Sequence, residues 1–223
     1  MIIAIVNQAG DDGSARIASN LAVLRARSGR KVLLLDTDPK KPFCIWSTER
    51  GAAGMRPRIP ARAIGGSGPQ PALEDMLLHY NDILIDAAGR DTRASRIALA
   101  AAKLVVVPVL AQPIDLALQY QLIGRLHAAR TLNPGLRVLF VMVEGQLAPS
   151  DEARAAVRAY VSRVDAATLA ATVIHVSRDH EYGQGRCLCD AETCDPDLAG
   201  EMHALYREVY AMNTPSACSV RYR

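Results

Sequence analysis

Long apolar runs are missing from this chain. No segment of its 223 residues approaches the roughly 18 consecutive apolar residues that a membrane-spanning helix requires. A charged leader is missing as well, because the chain passes directly into an apolar segment at Ile2. We therefore expect a soluble, cytoplasmic protein that makes no membrane contact.

Cysteine is sparse, and its count of five is odd. Cys44 lies far in sequence from Cys187, Cys189 and Cys194, so we expect free thiols and no disulfide framework. The spacing Cys187-x-Cys189-x4-Cys194, with His175 and His180 upstream, invites a metal site, but it lacks the C-x2-C knuckle typical of zinc. We favour a packing role for these thiols, and the sequence leaves metal binding open.

The composition is that of an ordinary globular chain. A hydrophobic content of 50% over 223 residues is enough for one α/β domain with a full core. We expect this domain over residues 1–212 and a mobile tail over 213–223. The formal net charge of +3 fits nucleic-acid binding, but it also fits many metabolic enzymes. The charge alone does not decide the function.

Short β-branched or leucine-rich runs alternate with segments of helical period. This alternation predicts a mostly parallel sheet with helices on both faces. The predicted strands are 2–6, 31–36, 59–64, 82–86, 104–109, 136–143 and 172–176. The predicted helices are 14–28, a short one around 43–46, 73–79, 92–102, 114–130, one opened by Ser150, and 196–212.

Apolar residues at helical spacing predict which helix faces are buried. The predicted inward-facing sets are Ile17, Leu21 and Leu24; Leu118, Leu122 and Leu126; Val157, Tyr160 and Val164; and Leu198, Met202, Leu205 and Val209. Gly29 is expected to end the first helix, and Ser150 is expected to cap another at its N-terminus.

The first strand runs into a glycine-bearing turn and then a helix, which is where a phosphate-binding loop would lie. Such a loop has the pattern G-x-x-x-x-G-K-[ST], in which the lysine reaches the outer phosphates and the hydroxyl binds magnesium. Here Ser14 occupies the lysine position and Ala15 the hydroxyl position.

Three turns follow predicted parallel strands: Gly10 to Gly13, Asp36 to Asp38, and Asp86 to Gly89. Ligands of open α/β sheets bind at this carboxyl edge. Each turn alone is a weak signal, because aspartate after a strand is common turn chemistry. Their order and spacing along the chain are much more specific.

These motifs resemble the ParA/MinD family of deviant Walker ATPases, most closely the small ParA-type partition proteins. The segment from Asn7 to Arg16 aligns without a gap to the family motif Asn-Gln-Lys-Gly-Gly-Val-Gly-Lys-Thr-Thr. Val32 to Pro39 resembles the second motif, and Ile83 to Asp86 resembles Walker B. Trp46 also sits where many members carry tryptophan. The resemblance extends to about residue 210 and implies a P-loop fold.

The departures from the family are concentrated in one loop. The resemblance places the cofactor-binding loop on Gly10, Asp11, Asp12, Gly13, Ser14, Ala15 and Arg16. Ala9 stands where the family has the lysine that reaches the partner subunit's nucleotide, and Asp11 and Asp12 replace a glycine and a valine. A carboxylate about 5 Å from a phosphate charge repels it by about 3 kcal/mol at an effective dielectric constant near 20. We therefore predict a loop that binds ATP very poorly or not at all.

Besides the loss of ATP binding, two other interpretations of this loop stay open. Arg16 could swing back to the phosphates, or Asp11 and Asp12 could hold a bridging cation, and ATP with magnesium would then bind. In the structural interpretation, Asp11 and Asp12 only cap the helix N-terminus, where negative charge is favoured.

The resemblance also assigns roles to three aspartates. Asp36 and Asp38 resemble the catalytic residues near magnesium and the attacking water, in vestigial or weak form here, and Asp86 resembles the Walker B aspartate that holds the metal if Mg-nucleotide binds. The alternative is that they cap turns and are hydrated. Family members often bind DNA through basic residues late in the chain, which points to Arg178 and Arg186, although arginines on a solvated face are an equally ordinary explanation.

The sequence hypothesis is therefore a degenerate ParA-like protein. We expect a pseudo-ATPase, with hydrolysis lost or very weak, that partitions, positions or transfers plasmid-like DNA or another cargo through protein contacts. The expected partners are a second copy of the chain, a ParB-like or other adaptor, and non-specific DNA. Two alternatives stay open: an active partition ATPase with unusual loop chemistry, and a DNA-binding accessory protein that does not depend on nucleotide.

Overall fold

The chain folds around one sheet flanked by seven helices among the residues described. The structure is a computed structural model, and it describes residues 1–6, 13–64, 70–87, 89–110, 116–145, 149–175, 185–190 and 196–211. The strands are β1 (Ile2–Val6), β2 (Val32–Asp36), β3 (Ala61–Ala63), β4 (Asp82–Ala87), β5 (Leu104–Leu110), β6 (Arg137–Glu144) and β7 (Ala167–His175). The helices are α1 (Gly13–Arg27), α2 (Pro42–Ala52), α3 (Gln70–His79), α4 (Arg93–Ala101), α5 (Leu116–Leu132), α6 (Asp151–Val161) and α7 (Pro196–Ala211).

All seven strands are parallel and lie in the order β3-β2-β4-β1-β5-β6-β7. The predicted α/β fold with a parallel sheet is thereby confirmed. β1 lies between β4 and β5, so the chain winds in one direction through β2 and in the other through β5. Crevices at such a reversal of strand order are where doubly wound sheets bind ligands.

Both faces of the sheet are buried, which explains why its central strand β1 is apolar at every position. Alternate side chains of β1 enter two separate cores: Ile3 and Ile5 join α1, α2 and α7, whereas Ala4 and Val6 join α3, α4, α5 and α6. A strand covered on both sides has no polar face, and this favours continuous over alternating hydrophobicity. The two cores together fix the sheet between two layers of helices.

Several predicted helix features are confirmed. Ile17, Leu21 and Leu24 are all buried, as are the four predicted positions of α7. Gly29 follows α1 with φ +81°, a left-handed conformation that glycine adopts without steric cost. The Ser150 hydroxyl accepts a hydrogen bond from the Ala153 N–H, so it caps α6 as expected.

Two predicted faces are wrong in part. Leu122 and Leu126 are buried, but Leu118 is 39% exposed because the buried face of α5 runs through Gln119 in its first turn. Val164 is buried as predicted, yet it lies beyond α6, which ends at Val161. A reversal of the chain after the helix therefore places Val164 in the core.

The last strand begins earlier than predicted. β7 starts at Ala167, whereas the sequence prediction started at Thr172. Its first half, Ala-Thr-Leu-Ala-Ala, has little β-propensity, and pairing with β6 overrides that local preference. Val176, the predicted last residue of this strand, and the predicted tail 213–223 lie outside the described residues. Within the described ranges, no helix has the length and hydropathy to cross a membrane.

Candidate functional site

Asp36 and Asp86 lie side by side at the carboxyl edge of the sheet. The register pairs Asp86 of β4 with Asp36 of β2 on one side and with Ile5 of β1 on the other. Thr37, directly after β2, reinforces this contact because its hydroxyl donates to the Asp86 carbonyl oxygen at 2.6 Å. The structure thus brings together two of the three turns that the sequence singled out.

Asp36 also binds the start of the next helix. Its buried carboxylate accepts hydrogen bonds from the N–H groups of Phe43 at 3.0 Å and Cys44 at 2.8 Å. These are first-turn N–H groups of α2, which have no partner within the helix. Asp38 makes a similar local contact, since its carboxylate accepts from the Lys40 N–H at 2.8 Å. Both residues therefore make capping contacts, and their roles toward magnesium stay predictions.

Asp86 is the least satisfied carboxyl group of this cluster. It is 4% exposed, and its Oδ1 atom has no hydrogen-bond partner among the described residues. Burial, reinforced by the charges of Asp36 and Asp38, raises the pKa of Asp86 to about 7. A buried carboxylate oxygen without a partner is costly, and among the described residues no group of three or more His, Cys, Asp or Glu side chains is arranged to hold a metal ion.

The cysteine beside this cluster is a poor nucleophile. Burial, followed in size by the hydrogen bond and charge of Asp36, raises the pKa of the Cys44 thiol to about 11. The thiol is therefore protonated near neutral pH, and the thiolate is the reactive form. This is compatible with the packing role expected from its neighbours Phe43 and Trp46.

The predicted cofactor loop is described only from its C-terminal half. Gly13 is the first residue of α1, whereas Gly10, Asp11 and Asp12 lie outside the described residues. Ser14 is 4% exposed, so an uncharged, buried side chain occupies the position of the phosphate-binding lysine. Ala15 follows it in the first turn of α1.

Arg16 is half-buried in the same turn. Its carbonyl oxygen accepts from the Ser19 hydroxyl at 3.0 Å and from the Asn20 side-chain amide at 2.9 Å. In the first turn of α1, Ser14 and Ala15 thus stand where the phosphate-binding pattern has a lysine and a hydroxyl residue.

A buried arginine that the sequence did not single out lies in the last turn of α2. Arg50 of α2 is 0% exposed, and its guanidinium forms a bidentate ion pair with Asp190 at 2.8 and 3.0 Å. Its other N–H groups donate to the carbonyl oxygens of Pro57, Gly185 and Arg56, each at 2.9 Å. All five donors of the guanidinium are therefore satisfied.

The Arg50–Asp190 pair fixes segment 185–190 against α1 and α2. Burial alone would raise the pKa of Asp190, but hydrogen bonds from Arg50 and from the Cys187 N–H hold it below its usual range. Arg27 of α1 adds a second ion pair to Asp190 at 3.0 Å. Because 140 positions separate Arg50 from Asp190, no local sequence pattern could have predicted their contact.

The other predicted site residues are only partly described. Arg186 is half-buried, and its carbonyl oxygen accepts from the Trp46 indole N–H at 3.0 Å, whereas Arg178 lies outside the described residues. Cys187 and Cys189 are buried in the core that α1 and α7 share, where burial raises the pKa of the Cys187 thiol. Cys194 lies outside the described part of the chain, so the metal question at these thiols stays open.

Comparisons with known proteins identify relatives that share this architecture. No family model matches the chain. The chromosome-partitioning ATPase Soj of Thermus thermophilus is 30% identical over 188 residues, which cover 71% of this chain and 76% of Soj. The maintenance of carboxysome distribution protein A of Halothiobacillus neapolitanus is 23% identical over 172 residues, covering 77% of this chain and 78% of that protein.

A solved structure with the same fold is the MinD cell division protein of Aquifex aeolicus. It superposes with a TM-score of 0.65 at 14% sequence identity, covering 96% of this chain and 99% of that one. At 14% identity, the similarity to MinD shows only that the two proteins share a fold. The 30% identity to Soj, over three-quarters of the length of Soj, indicates common descent.

Proposed function

Because the chain belongs to the ParA/MinD family of deviant Walker ATPases, we propose that it partitions or positions a cellular cargo as a pseudo-ATPase. The pseudo-ATPase part of this proposal rests on Ser14. A buried, uncharged side chain occupies the position from which the family's lysine reaches the phosphates. With Asp11 and Asp12 adding negative charge to the loop, the attraction that holds a triphosphate is replaced by repulsion.

The role in positioning rests on what the relatives do. Soj is a chromosome-partitioning ATPase, and the Halothiobacillus protein maintains carboxysome distribution. We propose that this chain serves a cargo of the same kind, plasmid-like DNA or a protein assembly, and that it works as a homodimer with a ParB-like or other adaptor. The protein surfaces of the fold, and not ATP turnover, would then carry the function.

Titration calorimetry of the full chain with ATP and magnesium tests the pseudo-ATPase proposal. We expect no heat of binding at ligand concentrations up to the millimolar range. The matched variant restores the family loop through Asp11→Gly, Asp12→Val, Ser14→Lys and Ala15→Thr together, and it is expected to gain ATP binding if only the loop has been lost. A micromolar affinity of the unchanged chain for ATP with magnesium would contradict the pseudo-ATPase proposal.

A second candidate function is an active ATPase with unusual loop chemistry. The observation that favours it is the carboxylate cluster, since Asp36, Asp38 and Asp86 are all present and Asp86 has a buried oxygen without a hydrogen-bond partner among the described residues. Slow phosphate release that Asp38→Ala abolishes would support this candidate. This candidate would be excluded if no phosphate were released, or if Asp38→Ala left the rate of phosphate release unchanged.

A further inference from the structure

Helix α5 presents to the solvent a face that carries no aspartate, glutamate, lysine or arginine. Two other helices of the same layer differ: both exposed residues of α4 are arginines, and three of the six exposed residues of α6 are charged. A solvated helix face is normally charged, so the exposed face of α5 is atypical. The exposed residues of this helix, together named the α5 face, are Leu116, Ala117, Leu118, Tyr120, Gln121, Gly124, His127, Ala128, Thr131 and Leu132.

Exposed apolar side chains are also concentrated on this helix. Among the described residues, seven large hydrophobic side chains are exposed, and four of them belong to α5. The most exposed of the four are Leu132 at 78%, Tyr120 at 62% and Leu116 at 60%. Because Leu122 and Leu126 on the opposite side are buried in the core, α5 is apolar on both sides. A helix that is hydrophobic all round is normally buried, so we expect a partner to cover the α5 face.

We propose that the α5 faces of two copies of this chain pack against each other in an antiparallel, two-fold symmetric pair centred on Gly124. The proposal rests on the homodimer of the proposed function and names its surface. The family resemblance places subunit pairing at the nucleotide loop instead, because the lysine that Ala9 replaces reaches the partner subunit's nucleotide. The α5 face belongs to a helical layer on one side of the sheet, so this pairing does not need ATP.

The order of large and small residues along the α5 face suits an antiparallel copy. An apolar residue recurs at every fourth position and forms one ridge with a glycine at its centre: Leu116, Tyr120, Gly124, Ala128 and Leu132. An antiparallel copy centred on Gly124 brings Tyr120 over Gly124 and Ala128 of the other chain, so a large side chain meets small ones. This contact occurs twice, as isologous pairing requires. A parallel pair would instead place Tyr120 on Tyr120 and leave a gap at Gly124.

Electrostatics permit two identical copies to associate on this face. Identical charged surfaces repel each other, but no ionic charge of Asp, Glu, Lys or Arg is exposed on α5. The two arginines of the helix are directed toward their own chain. Arg125 donates to the Gly89 carbonyl oxygen at 2.7 Å, and Arg130 donates to the Leu136 carbonyl oxygen at 3.1 Å.

The same chemistry favours a second copy over an anionic partner. A nucleic acid or an anionic membrane is held by lysine and arginine side chains, which the α5 face lacks. The core of a protein interface is depleted of charge and enriched in aromatic residues. Tyr120 supplies such an aromatic anchor near the centre of the face.

The size of the α5 face sets the strength of the pair. A helix of 17 residues is about 26 Å long and about 11 Å across, so its outer half presents about 450 Å². Two copies then bury about 900 Å², close to the roughly 1,000 Å² that a specific interface needs. We therefore expect a weak dimer with a dissociation constant of about 10 μM.

Sedimentation velocity of the full chain, without nucleotide, tests the proposal. Between about 1 and 200 μM, we expect the chain to pass from monomer to dimer. Gly124→Glu should abolish this dimer, because it places two like charges against each other at the two-fold axis. The fold itself is expected to tolerate the change, since a Cβ added at Gly124 would meet no other described part of the chain within 4 Å.

Matched controls separate the α5 face from other exposed surfaces. Gly200 of α7 is also an exposed helical glycine with open space for a Cβ, so Gly200→Glu should leave the dimer unchanged. Tyr120→Ala should weaken the dimer about tenfold or more, because it removes the anchor. Leu78→Ala removes a side chain of α3 that is 81% exposed, and it should change the dissociation constant less than about twofold. Thermal melting of each variant checks that it is folded.

Cysteine cross-linking tests the antiparallel geometry. Gly124→Cys should give a covalent dimer on mild oxidation, because a residue at the two-fold axis meets its own copy. Tyr120→Cys together with Ala128→Cys should also cross-link, whereas Tyr120→Cys alone should not. The unchanged chain gives the background from the native cysteines, and Gly200→Cys should not exceed it. Cross-linking by Tyr120→Cys alone would indicate a parallel pair and overturn the proposal.

Other results distinguish the α5 face from the proposed function. A chain that stays monomeric up to about 200 μM overturns the α5 pair and the homodimer together, whereas the pseudo-ATPase part is judged by calorimetry. A dimer that survives Gly124→Glu keeps the homodimer and overturns the α5 face as its surface. A dimer that requires ATP with magnesium contradicts both this proposal and the pseudo-ATPase. If Gly124→Cys cross-links to a different protein in cell extract and the purified chain forms no dimer, the α5 face belongs to that protein instead.

Discussion

The residue with the greatest structural consequence is Arg50. A buried ion pair must offset the cost of removing two charges from water, and it does so only when the remaining donors and acceptors are also satisfied. The five hydrogen bonds of Arg50 and the additional contacts of Asp190 to Arg27 and the Cys187 N–H meet this condition. One arginine therefore connects α1, α2, the turn at Arg56 and segment 185–190.

The pH dependence of stability is expected to depend on Asp86. Its pKa rises from the ordinary 3.8 to about 7 in the folded state, so the folded protein binds this proton more tightly than the unfolded chain does. Its contribution to stability is therefore complete below about pH 4 and is lost as the pH rises through about 7. Asn mimics the protonated carboxyl, so Asp86→Asn should gain stability relative to the unchanged chain at higher pH.

We expect this gain to be about 2 kcal/mol larger near pH 8 than near pH 5. Urea unfolding at the two pH values measures it, with a chelator present so that no cation neutralises the cluster. Asp75→Asn provides the control for removal of one exposed carboxylate. An equal effect of Asp86→Asn at both pH values would contradict a raised pKa.

The sequence predicts some of the contacts at the carboxyl edge of the sheet and around α2, and it misses the others for a physical reason. Asp36, Asp38 and Asp86 follow strands, and parallel strands end at one edge, so their proximity follows from topology. The capping of α2 by Asp36 required the direction of the helix after the turn, which the sequence does not specify. The Arg50–Asp190 pair required the tertiary position of segment 185–190, and nothing local in the sequence encodes that position.

At the scale of elements, two glycines with similar backbones should respond differently to alanine. Gly29 (φ +81°) and Gly185 (φ +69°) are both left-handed, but a Cβ added at Gly29 would meet no other described part of the chain within 4 Å. At Gly185 the added Cβ would lie 2.0 Å from the Arg50 backbone nitrogen. Gly29→Ala should therefore cost about 1 kcal/mol, from the left-handed conformation alone.

Gly185→Ala should cost about 4 kcal/mol or more, because the backbone of α2 must move away and the Arg50–Asp190 contacts are weakened. Denaturant unfolding of the two variants side by side gives the comparison. Similar costs for the two substitutions would mean that segment 185–190 does not pack against α2 as described.

The elements themselves differ in how well the sequence predicts them. β1, β4 and β5 are buried on both faces, so composition alone identifies them as strands. β7 is an edge strand in which only Ala170 and Ile174 are buried, and its alanine-rich start carries little signal. In the same way, Leu118 has the helical spacing of a core residue, but Gln119 takes the buried position in the first turn of α5. The errors are therefore at the periphery, where tertiary contacts outweigh local pattern.

At the scale of the whole molecule, α2 connects the carboxyl edge of the sheet with the turn that precedes β3. The carboxyl edge carries the three aspartates and the start of α1. Helix α2 begins there at the Asp36 capping contacts, and Arg50 near its other end binds the carbonyl oxygens of Arg56 and Pro57. A change at the aspartates and a change at Arg50 therefore act on opposite ends of the same helix.

The melting temperature of the whole chain reports whether ATP binds the folded state. A ligand present at about 100 times its dissociation constant stabilises the folded state by about 2.7 kcal/mol. In a domain of this size that corresponds to a shift of about 5 to 10 °C. On the pseudo-ATPase proposal, we expect ATP with magnesium to shift the melting temperature of the unchanged chain by less than about 1 °C, because the loop sequence carries two aspartates and has Ser14 in place of the lysine. The variant with the restored loop should show the larger shift. Magnesium without nucleotide is the control, because a shift with magnesium alone reports binding of the ion and not of ATP. A shift of several degrees that requires ATP in the unchanged chain would contradict the pseudo-ATPase proposal.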